Sequence, residues 1–339
     1  MIIKLKKNID EVLKNNIIEK LDNIGYKSND VTTQYADYII GVGSKEFDIR
    51  EVGVLNGVED IHRVTSSAKL VSRKWKTKET IIDLGDDIKI GGGHFQIMAG
   101  PCSIESEKQI ETTVRHLLDN NIKIMRGGVY KPRSSPYAFR GLGIDGLKLF
   151  YKYCNANGIK IITEVMMTDQ IEDMYEYVDI FQVGARNSQN FNLLDALGKV
   201  NKPVMLKRAL SGTIDELLAS AEYIFSNGNE DIMLCERGIR TYEKAYRNTF
   251  DINSVPLLKK KSHLPVVIDA SHGVGIREFV EPVSLAGIIA GGDAVITEVH
   301  EIPQIAFSDG AQTLSHKEAE IYYENVRKTV RFRKDLKRF

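Results

Sequence analysis

The feature that most constrains this 339-residue chain is a rhythm of eight short apolar runs, each separated from the next by polar or helix-patterned sequence. In order they are FQIMAGPC (95–102), IKIMRGG (122–128), KIITEVM (160–166), IFQVGAR (180–186), PVMLKR (203–208), IMLCERG (232–238), PVVIDASH (265–272) and AVITEVH (294–300). Runs rich in Val and Ile without polar alternation read as strands buried on both faces, the mark of a parallel sheet. Helical spacing fills the gaps, as in Ser106–Asn120, Thr213–Ser226 and Arg277–Ala290. Eight such units within a chain of this size predict a closed (β/α)8 barrel, which takes about 250 residues. A doubly wound sheet is the competing arrangement, but it seldom reaches eight strands. No GxGxxG loop follows the first run, as a dinucleotide fold would require. The triplet Gly91–Gly93 precedes a strand and reads as a turn, after a hairpin built from IIDL (81–84) and DIKI (87–90).

The first 66 residues have a different pattern. A strand at 1–5 precedes a helical stripe from Asn8 to Gly25, with Ile9, Val12, Leu13, Ile17 and Leu21 on one face. Strands at 26–34 and 38–43, a short helix from Phe47 to Leu55 and a strand at 58–64 complete a βαββαβ order. That order is ferredoxin-like. No chemistry-bearing cluster lies there, so residues 1–66 are expected to serve regulation or assembly. Residues 67–79 read as a linker and 80–339 as the catalytic barrel with its leading hairpin.

Lys and Arg total 46, as do Asp and Glu, and this balance argues against a protein that binds nucleic acid through global charge. No run approaches the ~18 apolar residues of a membrane span, and the N-terminus lacks a signal-peptide pattern. Cys102, Cys154 and Cys235 are too few and scattered for a disulfide framework. A cytoplasmic protein is expected, with neither nucleic acid nor membrane as partner. The basic stretch from Arg327 to Phe339 reads as a solvated helix end, where cations suit the dipole.

In a barrel, chemistry gathers at the C-terminal ends of the strands. Cys102, His272, Glu298 and Asp309 come from strands one, seven and eight and the following loop, which closure makes neighbours. Thiolate, imidazole and two carboxylates form a donor set suited to one divalent Mn, Fe, Co or Zn ion. Arg126, Lys131, Arg133, Arg186, Lys207, Arg208 and Arg237 end strands two, four, five and six or start their loops. Converging guanidinium and ammonium groups suit phosphate and carboxylate ligands. Cys154 and Cys235 read as structural.

These residues sit within AGPCS (99–103), RGGVYKPRSS (126–135), GARN (184–187), LKR (206–208), CERG (235–238), DASH (269–272), EVH (298–300) and SDG (308–310). With those motifs in that order, the chain resembles the type I β group of 3-deoxy-D-arabino-heptulosonate 7-phosphate (DAHP) synthases. The resemblance covers about residues 70–320, and the front end is similar to the regulatory domain that some members carry. It implies condensation of phosphoenolpyruvate with erythrose 4-phosphate, releasing phosphate, with Cys102, His272, Glu298 and Asp309 as ligands of one divalent metal. It implies phosphoenolpyruvate contacts at Arg126, Lys131, Arg186, Lys207 and Arg237, and an erythrose 4-phosphate motif at Lys131, Pro132, Arg133 and Ser134. Ala185 and Arg208 complete the expected substrate contacts. Lys131, Glu164, Lys207 and His272 are the expected catalytic set, with Glu164 positioning a water and Lys207 or Lys131 donating a proton.

An aromatic amino-acid effector at the front domain and a homotetramer are further family expectations. The alternatives are the sister 3-deoxy-D-manno-octulosonate 8-phosphate synthase, against which Pro132-Arg133 argues, and a metal-loaded phosphate-binding sensor. The chain departs from close relatives at Ala270, where proline is common, and in the loop Gly273–Arg277.

Overall fold

A computed structural model describes residues 1–132, 135 and 137–336. The N-terminal part runs β1 (Ile2–Leu5), α1 (Glu11–Ile24), β2 (Lys27–Thr32), β3 (Asp37–Val42), α2 (Arg50–Gly53) and β4 (Val58–His62). Helix α1 starts where the Asp10 carboxylate accepts the Val12 N–H, and it stops at Gly25, whose φ of 91° few other residues adopt. Helix α2 is shorter than the 47–55 pattern suggests. Asp48 accepts the Arg50 N–H and also binds the Arg50 guanidinium, so the helix begins only there. The antiparallel sheet has the order β2-β3-β1-β4, as the ferredoxin-like arrangement requires. One face buries Ile3, Leu5 and Ile39 against Ile17 and Leu21 of α1.

The other face rests on the rest of the molecule. Buried Glu230 accepts hydrogen bonds from Tyr38 Oη (2.9 Å) and Thr33 Oγ1 (2.7 Å), and Lys76 pairs with it at 3.3 Å. Residues 67–79 are packed rather than loose. Leu70 and Val71 are fully buried, and their N–H groups donate to the Glu222 carboxylate at 2.8 and 3.1 Å.

After the hairpin β5 (Ile82–Asp83) and β6 (Lys89–Ile90) come β7 (Gln96–Gly100), β8 (Ile124–Arg126), β9 (Lys160–Val165) and β10 (Ile180–Val183). They are followed by β11 (Val204–Lys207), β12 (Ile232–Glu236), β13 (Val266–Ile268), β14 (Ala294–His300) and the short β15 (Leu314–Ser315). Strands β7 to β14 pair in parallel with their successors, and β14 also pairs with β7, so the sheet closes. Around it lie α3 (Glu107–Asp119), α4 (Gly143–Asn155), α5 (Gln170–Tyr175), α6 (Phe191–Leu197) and α7 (Ile214–Ser226). Next come α8 (Ser254–Lys261), the single turn α9 (Ala270–Val274), α10 (Arg277–Ala290) and α11 (His316–Asp335). Capping boxes at Thr213/Glu216 and Ser315/Glu318 start α7 and α11. No helix among the described residues is long and apolar enough to cross a membrane.

The barrel interior is filled by Met98, Ile124, Ile162, Ile180, Met205, Met233 and Ile296, joined by Ile82, Ile88 and Ile90 of the hairpin. The hairpin therefore plugs the end where the strands begin. Polar side chains are left to gather at the other end.

Candidate active site

Strand β7 can lie close to β8 because residue 100 is glycine. A Cβ there would stand 2.0 Å from the Arg126 carbonyl oxygen. The chain beyond it delivers Cys102, while β14 delivers Glu298 and the following loop delivers Asp309 at a φ of 53°, a conformation that Asp tolerates better than most residues. His272 comes from α9 rather than from a strand end. Strand β13 stops at Ile268, and the Asp269 carboxylate caps the turn by accepting the His272 N–H at 3.0 Å. Ala270 is the first residue of that turn, a position where proline also fits, so the departure at 270 leaves the mounting of His272 intact.

One ligand atom from each of Cys102, His272, Glu298 and Asp309 lies within 4.8 Å of the others. Cys102 Sγ is 3.2 Å from Asp309 Oδ2, and His272 Nε2 is 3.2 Å from Glu298 Oε1. Each donor has an outer partner that orients it, as metal ligands require. Asp269 holds His272 Nδ1 at 2.9 Å and leaves Nε2 facing the cluster. Gln312 donates to Glu298 Oε2 at 2.8 Å, Lys131 Nζ lies 3.0 Å from Cys102 Sγ, and Arg247 reaches Asp309 at 3.3 Å.

Burial opposes charge on His272, but Asp269 and Glu298 outweigh it and raise its pKa to about 10. Burial likewise opposes charge on Glu298, yet His272 and Arg126 hold its carboxyl below the usual range. Ligation of a cation requires His272 to give up that proton. The chemistry of this mixed donor set fits a divalent transition metal or zinc.

Beside the cluster opens a cavity of about 410 Å³. Among the described residues seven Lys and Arg side chains line it, Arg126, Lys131, Arg186, Lys207, Arg237, Arg240 and Arg247, against two carboxylates, Glu164 and Asp309. Two of the guanidiniums are buried with donors to spare. Arg126 gives Nη1 to the Pro101 carbonyl at 2.7 Å and Glu298 at 3.3 Å, and its Nε has no hydrogen-bond partner among the described residues. Arg237 is 4% exposed, reaches only the Gly238 carbonyl at 3.4 Å, and has no carboxylate in ion-pair range among the described residues. Burial pulls its pKa below the ordinary guanidinium value. Lys207 is equally buried but donates to Asp269 at 2.6 Å. Glu164 accepts from Gln182 at 3.3 Å, and residue 184 must be small, since a Cβ there would lie 2.0 Å from Glu164 Oε1.

A profile described as the DAHP synthetase I family matches residues 76–333. The chain belongs to that family. Over 260 residues, 77% of each sequence, it is 50% identical to phospho-2-dehydro-3-deoxyheptonate aldolase of Thermotoga maritima. The crystal structure of that Thermotoga DAHP synthase superposes with a TM-score of 0.78 at 42% identity, covering 98% of this chain and 97% of the other. A 2-dehydro-3-deoxyphosphooctonate aldolase of Trichlorobacter lovleyi is 32% identical over 263 residues, 70% of this chain and 92% of its own.

Within this DAHP synthetase I family member, most residues expected at the site line or adjoin the cavity, including Pro132 and Ala185. Arg208 is the exception and corrects the sequence reading. Its guanidinium points away and is spent on Glu236 (2.9 Å), Asp251 (2.8 Å) and the Gly212 carbonyl (2.8 Å). Arg133 and Ser134 lie outside the described residues. Arg240, Arg247, Gln182, Asp269 and Gln312 join the site without having been singled out in the sequence. Cys154 and Cys235 are buried elsewhere, and burial pushes both thiols up.

Proposed function

We propose that the chain catalyses condensation of phosphoenolpyruvate with erythrose 4-phosphate to give DAHP and inorganic phosphate. The observation that carries this reading is the cavity that, among the described residues, seven Lys and Arg side chains and two carboxylates line beside a cluster of four candidate metal donors. Two phosphorylated substrates bring the negative charge that such a lining needs. A divalent ion held by Cys102, His272, Glu298 and Asp309 supplies Lewis acidity toward the aldehyde oxygen when bound.

The protein's own groups do the rest. Arg126, Arg186, Lys207 and Arg237 bind the phosphate and carboxylate of phosphoenolpyruvate with donors already in place. Lys131 and Pro132, with Arg133 and Ser134 beyond them, hold erythrose 4-phosphate. C3 of phosphoenolpyruvate forms the new bond to the aldehyde carbon, and Lys131 protonates the resulting alkoxide. Water adds at C2, giving its proton to Glu164, which Gln182 orients. The C2–O bond to phosphate then breaks, and the C2 hydroxyl proton passes to the departing phosphate, leaving the ketone and inorganic phosphate. His272 keeps its place through Asp269, which also fixes Lys207. No side-chain nucleophile is required.

Residues 1–66 act as a regulatory module joined through 67–79 to the catalytic barrel of 80–339, within a cytoplasmic homotetramer. A substrate assay tests the central reading. Activity is expected with erythrose 4-phosphate, and activity only with arabinose 5-phosphate would assign the sister octulosonate reaction instead. Adding tyrosine, phenylalanine or tryptophan separately is expected to inhibit with at least one of them. No response to any would recast residues 1–66 as structural.

A further inference from the structure

The basic stretch near the C-terminus takes no part in the chemistry above, yet it borders a second cavity of about 380 Å³. This cavity lies beside residues 93–97 and 121–123, just before strands β7 and β8 begin, and so at the opposite end of the barrel from the active site. His94, Lys123, Arg327, Arg331 and Lys334 surround it, and no carboxylate lines it among the described residues. Positions 327, 331 and 334 share one face of α11, because residues three, four and seven apart on a helix do.

On the same helix Lys328, which does not line the cavity, pairs with Glu324 at 2.6 Å, whereas Lys123, Arg331 and Lys334 have no ion pair among the described residues. Arg327 spends one N–H on the Asn120 carbonyl. The helix dipole accounts for a cation in the last turn, such as Lys334, but not for Lys123, which comes from another part of the chain. The half-buried side chains of Phe95 and Val330 also line the cavity. An adjoining hollow of about 320 Å³ includes Asp293, but that carboxylate is already taken by Lys259 at 2.8 Å and the Val266 N–H at 2.8 Å.

We infer that this cavity binds a small organic polyanion, a compact and partly apolar body carrying two or more carboxylate or phosphate groups. Guanidinium and ammonium groups from two chain segments grip the anionic groups, and the body rests on Phe95 and Val330. The site is distinct from the substrate cavity and shares no residue with it.

Calorimetric titration of the full-length protein at low ionic strength tests the inference. Benzene-1,3,5-tricarboxylate serves as the carboxylate probe and fructose 1,6-bisphosphate as the phosphate probe. Saturable binding of at least one is expected, weakened about tenfold or more in the double variant Lys123→Ala/Arg331→Ala. Lys123→Gln alone, too mild to disturb folding, is expected to weaken it about threefold. Binding should persist in Arg237→Met, which alters only the active-site cavity, and in Lys328→Ala, which removes a cation of α11 that does not line the second cavity. Which probe binds more tightly assigns the anionic group. Absence of binding by both probes overturns the inference. So does equal weakening by Lys328→Ala, which would mean diffuse attraction to a basic surface, or loss confined to Arg237→Met, which would place the binding at the active site.

Discussion

Replacing Arg237 with methionine is expected to raise the KM for phosphoenolpyruvate by about 100-fold or more while leaving the melting temperature unchanged or higher. The two effects part because of how Arg237 is held. Its guanidinium is buried, and its one hydrogen bond, to the Gly238 carbonyl, is long at 3.4 Å. A buried cation without a carboxylate is a cost to the free protein, which a well-packed apolar side chain relieves. In the proposed complex the same cation meets substrate charge, and truncating one partner of a buried charged contact costs about 2–5 kcal/mol. Arg126 offers the contrast. It pairs with Glu298 at 3.3 Å, so Arg126→Met would disturb a proposed metal ligand as well as a proposed substrate contact. Steady-state kinetics and thermal melts of Arg237→Met check the prediction. A destabilised protein with an unchanged KM would show that Arg237 is a structural cation.

Cys102→Ser is expected to lose bound metal and activity together, by more than the ~10–100-fold that loss of an outer partner of a metal site costs. Serine keeps the shape but removes the soft donor that zinc and the later transition metals favour. Cys102 is 3% exposed and Lys131 Nζ sits 3.0 Å from its sulfur, so the variant also loosens a proposed substrate lysine. Metal content measured alongside kcat separates the effects. Full activity at wild-type metal content would refute the ligand role, and full activity without metal would refute the need for a metal.

Much of the fold is legible because barrel strands are buried on both faces and so appear as unbroken Val/Ile runs. The clustering of Cys102, His272, Glu298 and Asp309 is legible because closure brings the ends of β14 and β7 together. Arg208 was misplaced for a reason that strand geometry itself supplies. Successive side chains point to opposite faces, so with Lys207 turned into the mouth, Arg208 turns outward to Glu236 and Asp251. Arg240 and Arg247 lie on the irregular connection between β12 and α8, where no periodicity says which way a side chain faces. Asp269 stood in view within PVVIDASH, but its double role on His272 and Lys207 depends on the chain turning into α9. The 67–79 segment looked like a linker because its polar residues dominate the pattern, while Leu70 and Val71 carry the packing.

Phosphate release from phosphoenolpyruvate with erythrose 4-phosphate, followed before and after thorough chelation and again on return of Mn, Fe, Co or Zn, tests the account most directly. The expected result is activity lost with the metal and restored by at least one of these ions. Undiminished turnover in metal-free protein would contradict it.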